Sequence, residues 1–160
     1  MTVPSDAAAL DWGAFATLSP VLAQVGRDRL HGRASYIATI RADGSPRLHP
    51  VTPIVAQTAL YVFMEPTSPK GHDLRRDGRF ALHCGVEDVG GGGGEFIVRG
   101  RALPVDNGKG RAAAIAASPY APAERYVLFE LRIDYAMATE YGAGGPPRQH
   151  WSARQEEQPS

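Results

Sequence analysis

The sequence predicts a small, mainly β barrel with few helices, and three observations support this fold class. Apolar and polar residues alternate over several runs of the chain, as in strands with one buried face. Turn-forming residues, such as the Asp43-Gly44 pair, separate these runs. Helical spacing of apolar residues is confined to two or three short stretches. Six mostly antiparallel strands with short covering helices therefore fit the 160 residues as one domain.

The strand predictions follow the alternating runs and the turns between them. Six strands are predicted over residues 36–40, 47–56, 60–64, 79–86, 95–105 and 125–141. The first three are expected to form a meander, because short turns separate them. The glycine run at 90–94 does not match the spaced glycines of nucleotide-binding loops, so we interpret it as a flexible hairpin connection.

The helix predictions rest on start and stop residues. Helices are predicted over residues 20–31, 70–77 and 107–117, with a further partial helix over 12–18. The first begins at Ser19-Pro20 and ends at Gly32, which suits a proline in the first turn and a glycine after the last. The chain divides into an N-terminal arm (1–19), a barrel domain (20–141) and an irregular C-terminal tail (142–160).

The start of the second predicted helix has the composition of a phosphate site. Ser68 and Lys70 stand in the first turn, where a helix has unpaired backbone N–H groups and the positive end of its dipole. Lys70 with Arg47 or Arg75 can surround a phosphate ester from several sides. The alternative is an ordinary helix start, with Ser68 as the cap and Pro69 at the first position.

Charge and cysteine count exclude several classes of function. The formal net charge of zero gives no overall attraction to nucleic acid or to a membrane. The one cysteine, Cys84, allows no internal disulfide and is expected to be a small buried thiol. No secretory leader pattern and no apolar run long enough to cross a bilayer is present, so a cytoplasmic location is the default expectation.

The histidines do not form a metal-binding pattern. His31, His49, His72, His83 and His150 show no pair at metal-ligand spacing, so no metal site is expected. His49 is the one candidate catalytic residue, as a proton donor with a pKa near neutrality. The alternative is a strand histidine that faces solvent. No serine lies in a nucleophile elbow, so hydrolase chemistry has no support.

The order of these elements and the residues at their ends resemble the pyridoxamine 5'-phosphate oxidase-like family, the flavin-binding split barrels. The resemblance lies in residues 36–53, 68–82 and 95–102. It implies a six-stranded antiparallel split barrel of the FMN-binding type and a homodimer with the cofactor in two clefts between subunits. It also implies FMN as the cofactor, with coenzyme F-420 as the alternative and haem as a minor one.

The resemblance assigns roles at the phosphate and under the ring. Arg47, Ser68 and Lys70 correspond to the residues that hold the phosphate ester. The backbone of residues 48–52 corresponds to the strand beneath the isoalloxazine ring, where its N–H and C=O groups can pair with the ring edge as with another strand.

Four further residues complete the site that the resemblance implies. Phe63 and Met64 correspond to the ribityl side, and Glu95 approaches the ring from the other subunit. Trp151 corresponds to an aromatic residue near the flavin, and its alternative is a hydrophobic anchor for the tail. The expected cofactor-binding residues are Arg47, Leu48, His49, Pro50, Val51, Thr52, Phe63, Met64, Ser68, Lys70, Glu95 and Trp151.

Three positions depart from the vitamin B6 oxidases of this family. Thr52 replaces a basic residue, Pro69 an arginine and Glu95 an amide. A carboxylate near the flavin pyrimidine opposes the anionic reduced ring. These departures argue against vitamin B6 oxidation. The stretch from Lys70 to Arg79 is closer in character to the actinobacterial branch of the family, whose members use FMN or coenzyme F-420.

The expected function is that of a flavin-dependent oxidoreductase. It would move hydride or electrons between a reduced nicotinamide or deazaflavin and a small organic acceptor, while the protein orients the ring. One alternative is a non-catalytic carrier of flavin, coenzyme F-420 or haem with the same fold. Another is a structural dimer whose phosphate cleft has lost its function.

Overall fold

The computed structural model describes residues 9–90, 92–140 and 148–156 of the chain. Within these ranges, five helices lie at Trp12–Leu18 (α1), Pro20–Leu30 (α2), Pro69–Arg76 (α3), Gly108–Ala117 (α4) and Ala153–Glu156 (α5). Eight strands lie at Ser35–Ile40 (β1), Pro46–Val51 (β2), Ile54–Val55 (β3), Leu60–Met64 (β4), Arg79–Cys84 (β5), Glu95–Pro104 (β6), Val127–Thr139 (β7) and Gln149–Ser152 (β8). None of the described helices is long and apolar enough to cross a membrane.

The strands form one curled antiparallel sheet that nearly closes on itself. Its order is β2-β1-β5-β6-β7-β4-β3, and β8 pairs with the second half of β7. The two end strands of this order, β2 and β3, are separated by only Thr52 and Pro53. The ends of the sheet therefore meet where the chain passes from β2 to β3. This closure gives a split barrel and confirms the predicted mainly β fold class.

Two details of the strand prediction are wrong. The predicted strand 47–56 divides into β2 and β3 at Thr52-Pro53, where proline has no N–H for the ladder. The predicted meander of the first three strands is not formed, because β2 pairs with β1 whereas β3 and β4 pair with each other at the far end of the sheet. Eight strands therefore replace the six that were predicted.

The tail supplies the strand that the sequence did not predict. Trp151 of β8 lies opposite Ala136 of β7, and α5 follows immediately. The other parts of the predicted tail, residues 142–147 and 157–160, lie outside the described residues, as do residues 1–8 of the predicted arm and Gly91 of the glycine run. The division into arm, barrel domain and tail stays a prediction.

The barrel interior holds the main hydrophobic cluster, which α1 and α2 cover at one end. Trp12 and Phe15 of α1 are buried, so this part of the predicted arm packs into the core. Phe15 contacts Trp151, with ring centroids 5.0 Å apart. A smaller cluster under α4 includes Ile54, Phe63 and Leu128. The second cluster fixes β3 and β4 beneath α4, away from the face of the sheet that α3 covers.

Candidate functional site

The start of α3 departs from an ordinary helix cap. Pro69 occupies the first helical position, as predicted, but the Ser68 side chain makes no capping hydrogen bond. Instead, the Ser68 hydroxyl accepts a hydrogen bond of 3.0 Å from the Lys70 ammonium group. The Ser68 carbonyl accepts from the backbone N–H groups of Gly71 and His72. A hydroxyl and an ammonium group therefore meet at the helix start, as the phosphate interpretation requires.

Lys70 is a partly buried cation with no acidic partner in the part of the chain that the structure describes. It is half-buried, and among the described residues it forms no ion pair. Burial lowers the pKa of the Lys70 ammonium below its ordinary value, because the charged form loses hydration. An anion at this place would offset that cost and hold the lysine protonated.

A buried carboxylate, Asp73, organises the cations around this site. Its Oδ2 accepts 2.7 Å from Arg47 Nε and 2.8 Å from the Thr39 hydroxyl, and its Oδ1 accepts 3.0 Å from Arg76 Nη2. Arg76 also donates to the Ile40 carbonyl. One carboxylate thus connects β1, β2 and α3.

This network changes the expected role of Arg47. The sequence predicts that Arg47 holds a phosphate, but its Nε donates to Asp73. Its Nη groups form no hydrogen bond to any described residue. Arg47 therefore has only its Nη groups available for an anion, and Asp73 sets their direction.

The network also determines the charge of Asp73. Burial alone would raise the pKa of this carboxyl, but hydrogen bonds from Arg47, Thr39 and Arg76 outweigh burial, and the resulting pKa lies below the ordinary value. Asp73 is consequently ionised at neutral pH. Asp73 was not predicted from the sequence, although two features of the chain point to it. Thr39 aligns with Arg47 across the hairpin. Asp73 lies three residues from both Lys70 and Arg76.

His49 lies on the same face of β2 as Arg47, two residues along the strand. It is half-buried. Burial lowers the pKa of His49, and the positive charges of Lys70 and Arg47 lower it further. The imidazole is therefore neutral at pH 7, so it can donate or accept one hydrogen bond there but does not carry the extra proton expected of an acid.

The rest of β2 divides between its two faces. Leu48 and Pro50 are exposed on the outer face, Val51 is buried inside, and Thr52 at the strand end is half-buried. β2 pairs only with β1, and no described residue forms a backbone hydrogen bond to its other edge. The backbone of residues 48–51 therefore has a free edge that an extended partner or a ring edge can use.

Phe63 and Met64 do not share a face. Successive side chains of a strand point to opposite sides. Met64 belongs to the main core and packs under Gly71 of α3, whereas Phe63 belongs to the second cluster, with the Arg111 guanidinium 5.3 Å from its ring centroid. Only Met64 lies on the side of α3, so the structure does not bring these two side chains together, and their roles at a cofactor stay predictions.

We call Ser68, Lys70 and Arg47 the Lys70 cluster. Glu95 and Trp151 lie away from it. Glu95 begins β6, and two strands separate β6 from β2 in the sheet order, which places it about 14 Å away across the sheet. Its Oε1 lies 3.5 Å from His83 Nε2. Trp151 is buried against Phe15, and its Nε1 has no hydrogen-bond partner among the described residues. The position of Trp151 is that of a hydrophobic anchor.

No metal-binding cluster accompanies these residues. In the ranges that the structure describes, no three His, Cys, Asp or Glu side chains lie together in an arrangement that could hold a metal ion. Cys84 is buried, and its Sγ accepts a hydrogen bond from the Phe96 backbone N–H. The site is built from cations, one carboxylate and a free strand edge.

Sequence comparisons find no family model and no curated protein that matches the chain. Comparison of structures finds many similar folds. A heme binding protein from Mycobacterium smegmatis superposes with a TM-score of 0.60 and 15% identity, covering 96% of this chain and 60% of that protein, so this chain spans less than two thirds of its length. A nimc/nima family protein from Clostridium acetobutylicum has a TM-score of 0.61 and 14% identity over 82% of this chain and 91% of that one. An F-420 reductase has a TM-score of 0.51 and 18% identity over 69% of this chain and 94% of that one. At these identities the comparisons establish the split-barrel fold.

The Asp73 network makes the stability of the protein depend on pH. Because the folded-state pKa of Asp73 is lowered, its contribution is fully present above the unfolded value of about 3.9 and is lost as pH falls through the folded value. Asp73→Asn should lower the free energy of unfolding by about 2 kcal/mol at pH 6, measured by urea denaturation. The difference in the free energy of unfolding between Asp73→Asn and the wild type should become smaller below pH 4.

Asp77→Asn is the matched control for this measurement. Asp77 is ion-paired to Arg79, but both side chains are more exposed, so its loss should cost less than about 1 kcal/mol. An Asp73→Asn difference that stays constant from pH 3 to pH 6 would contradict the proposed network.

Proposed function

We propose that this protein binds FMN at the start of α3 and acts as a flavin-dependent oxidoreductase. In this proposal it moves hydride or electrons between a reduced nicotinamide or deazaflavin and a small organic acceptor. FMN, when bound, supplies the redox chemistry. The chain's own residues hold the phosphate, orient the ring and contribute the neutral imidazole of His49.

The observation that carries the proposal is the pairing of Lys70 with Ser68. A serine that caps a helix normally uses its hydroxyl for a backbone N–H. Here the hydroxyl meets a partly buried ammonium that has no carboxylate partner among the described residues. A phosphate monoester is dianionic at neutral pH and offers several acceptor oxygens. Its chemistry therefore fits the two donors, and the Nη groups of Arg47 extend the cluster.

The free edge of β2 supports the second half of the site. A flavin ring edge carries hydrogen-bond donors and acceptors that can pair with an unpaired strand backbone. The edge of residues 48–51 adjoins the strand face that carries Arg47 and His49. Phosphate-binding side chains and a ring-binding backbone would therefore lie next to each other in this proposal.

We also propose that two copies of the chain form a homodimer through the outer face of β2, β1, β5 and β6. Leu48 is 68% exposed and Tyr36 is 48% exposed on this face, although both are large apolar side chains. The register aligns Tyr36 with Pro50 on one side and with His83 on the other. An exposed apolar patch of this kind on β1 and β2 is typical of a subunit interface. A partner that covers this face would bring its own residues close to the free edge of β2.

A second candidate function is a non-catalytic carrier of a flavin, coenzyme F-420 or haem. One observation favours it: a similar structure is named a heme binding protein. FMN and coenzyme F-420 both carry a ribityl phosphate, so the Lys70 cluster fits either of them. For haem, His49 and His150 are the candidate ligands.

Lys70→Ala should weaken FMN binding by about 10- to 100-fold, because a charge-assisted hydrogen bond to the phosphate is lost. Fluorescence titration of FMN measures the affinity. Lys109→Ala is the control, since Lys109 is exposed on α4 and is the only other lysine. Arg47→Ala is unsuitable, because it also removes a donor from buried Asp73.

The pH dependence of the FMN affinity tests whether the Lys70 ammonium group contacts the phosphate. FMN binds the protonated ammonium, so wild-type affinity should fall as pH rises from 7 to 10 through the lowered pKa of Lys70. In Lys70→Arg the charge persists throughout this range, and the affinity should stay level. Equal affinity for FMN in the wild type and Lys70→Ala would refute the phosphate site.

Leu48→Asp should convert the dimer to a monomer, because it places a charge on the outer apolar face. Light scattering after size-exclusion chromatography measures the mass. Val21→Asp is a matched control, since Val21 is an apolar residue of similar exposure on α2, outside this face. A wild-type protein that is monomeric at tens of micromolar would refute the dimer.

Reduction of the bound flavin separates the enzyme from the carrier. For an enzyme, anaerobic NADPH or reduced coenzyme F-420 should bleach the absorbance of bound FMN faster than that of free FMN. An organic acceptor should then restore the absorbance. Bound FMN that is reduced no faster than free FMN would favour the carrier.

A further inference from the structure

A second cationic cavity lies at the other end of α3. Its volume is about 390 Å³, and three arginines line it: Arg75, Arg101 and Arg132. Leu74 and Leu103 form an apolar part of its wall. It shares no lining residue with the Lys70 cluster. We call it the arginine pocket.

The sheet register forces two of these arginines together. A bulge between Arg99 and Gly100 shifts the pairing of β6 with β7, so that Arg101 lies directly opposite Arg132. Only glycine fits at position 100, because a Cβ there would collide with the Arg132 carbonyl oxygen. The bulge therefore holds two guanidinium-bearing residues side by side in a fixed place.

The third arginine approaches from the helix. The Arg75 guanidinium lies 5.5 Å from the ring centroid of Phe129, a contact that limits its freedom. It forms no hydrogen bond to any described residue. Arg75 therefore presents its donors to the pocket from the side opposite the sheet.

The acidic side chains near the pocket lie outside its lining and leave one guanidinium nitrogen without a hydrogen bond among the described residues. Glu130 Oε2 lies 3.6 Å from Arg132 Nε, which is beyond hydrogen-bond distance, and that buried Nε has no hydrogen-bond partner among the described residues. Asp77 is bound to Arg79. Neither acidic side chain lines the cavity.

We infer that the arginine pocket binds a small organic anion, with a phosphate or carboxylate group on a compact apolar body. Guanidinium groups recognise such planar or tetrahedral oxyanions through paired N–H donors. The anion would contact the guanidinium groups that line the pocket and give the buried Arg132 Nε a hydrogen-bond partner. Leu74 and Leu103 would contact the apolar body. This site is additional to the cofactor site proposed above and does not depend on it.

Isothermal titration calorimetry with phenyl phosphate tests the inference, and phenylacetate distinguishes a carboxylate from a phosphate. In Lys70→Ala, which lacks the other proposed phosphate site, we expect saturable binding of one molecule per chain, tighter than that of inorganic phosphate and weaker in high salt. Arg132→Gln should weaken it at least tenfold, since a charge-assisted hydrogen bond is lost. Arg79→Gln is the matched control: Arg79 stands opposite Arg101 on β5 but does not line the pocket, so its loss should change the affinity less than threefold.

Two further variants test the arginine pocket without relying on Arg132→Gln. Arg75→Gln changes an exposed helix residue, so it tests the site even if Arg132→Gln fails to fold. Lys70→Ala removes the other proposed phosphate site, so phenyl phosphate that still binds to this variant occupies the arginine pocket. The inference is overturned if neither probe binds saturably at millimolar concentration, if the arginine variants bind normally, or if Lys70→Ala abolishes binding.

Discussion

The buried carboxylate of Asp73 is the interaction on which the candidate site depends. Its two oxygens accept from three side chains that belong to β1, β2 and α3. A carboxylate inside a protein is stable only when such donors replace its lost hydration. The same bonds hold the helix start beside the edge strand. The relative position of Lys70, Ser68 and β2 is therefore a consequence of satisfying one buried charge.

Closure of the barrel explains why this edge strand is free. The chain runs along β2, turns at Thr52-Pro53 and continues as β3 at the opposite end of the sheet order. Proline cannot donate to a ladder, so pairing stops there. The outer edge of β2 is left without a backbone partner among the described residues. An unpaired edge next to fixed cations favours a ligand with both an anionic group and a hydrogen-bonding ring.

Local charge and net charge are different quantities in this protein. The chain is neutral overall, which argues against non-specific attraction to polyanions. Yet α3 has a partly buried lysine at its start and an arginine over the pocket near its end. Carboxylates elsewhere balance these charges at a distance. Neutrality of the whole chain is therefore compatible with the two separate anion sites that we propose.

The sequence by itself determined the fold class and most element positions, because alternation, turn pairs and helix start residues are local signals. Residues 20–30, 60–64 and 95–104 show this, since each was predicted within one residue or two. The helix start with Ser68, Pro69 and Lys70 was also a local signal. Only the tertiary structure decided which distant residues meet. The Arg47–Asp73 contact and the Arg101–Arg132 pair both depend on sheet register and helix docking. These arise from long-range packing that no short segment specifies.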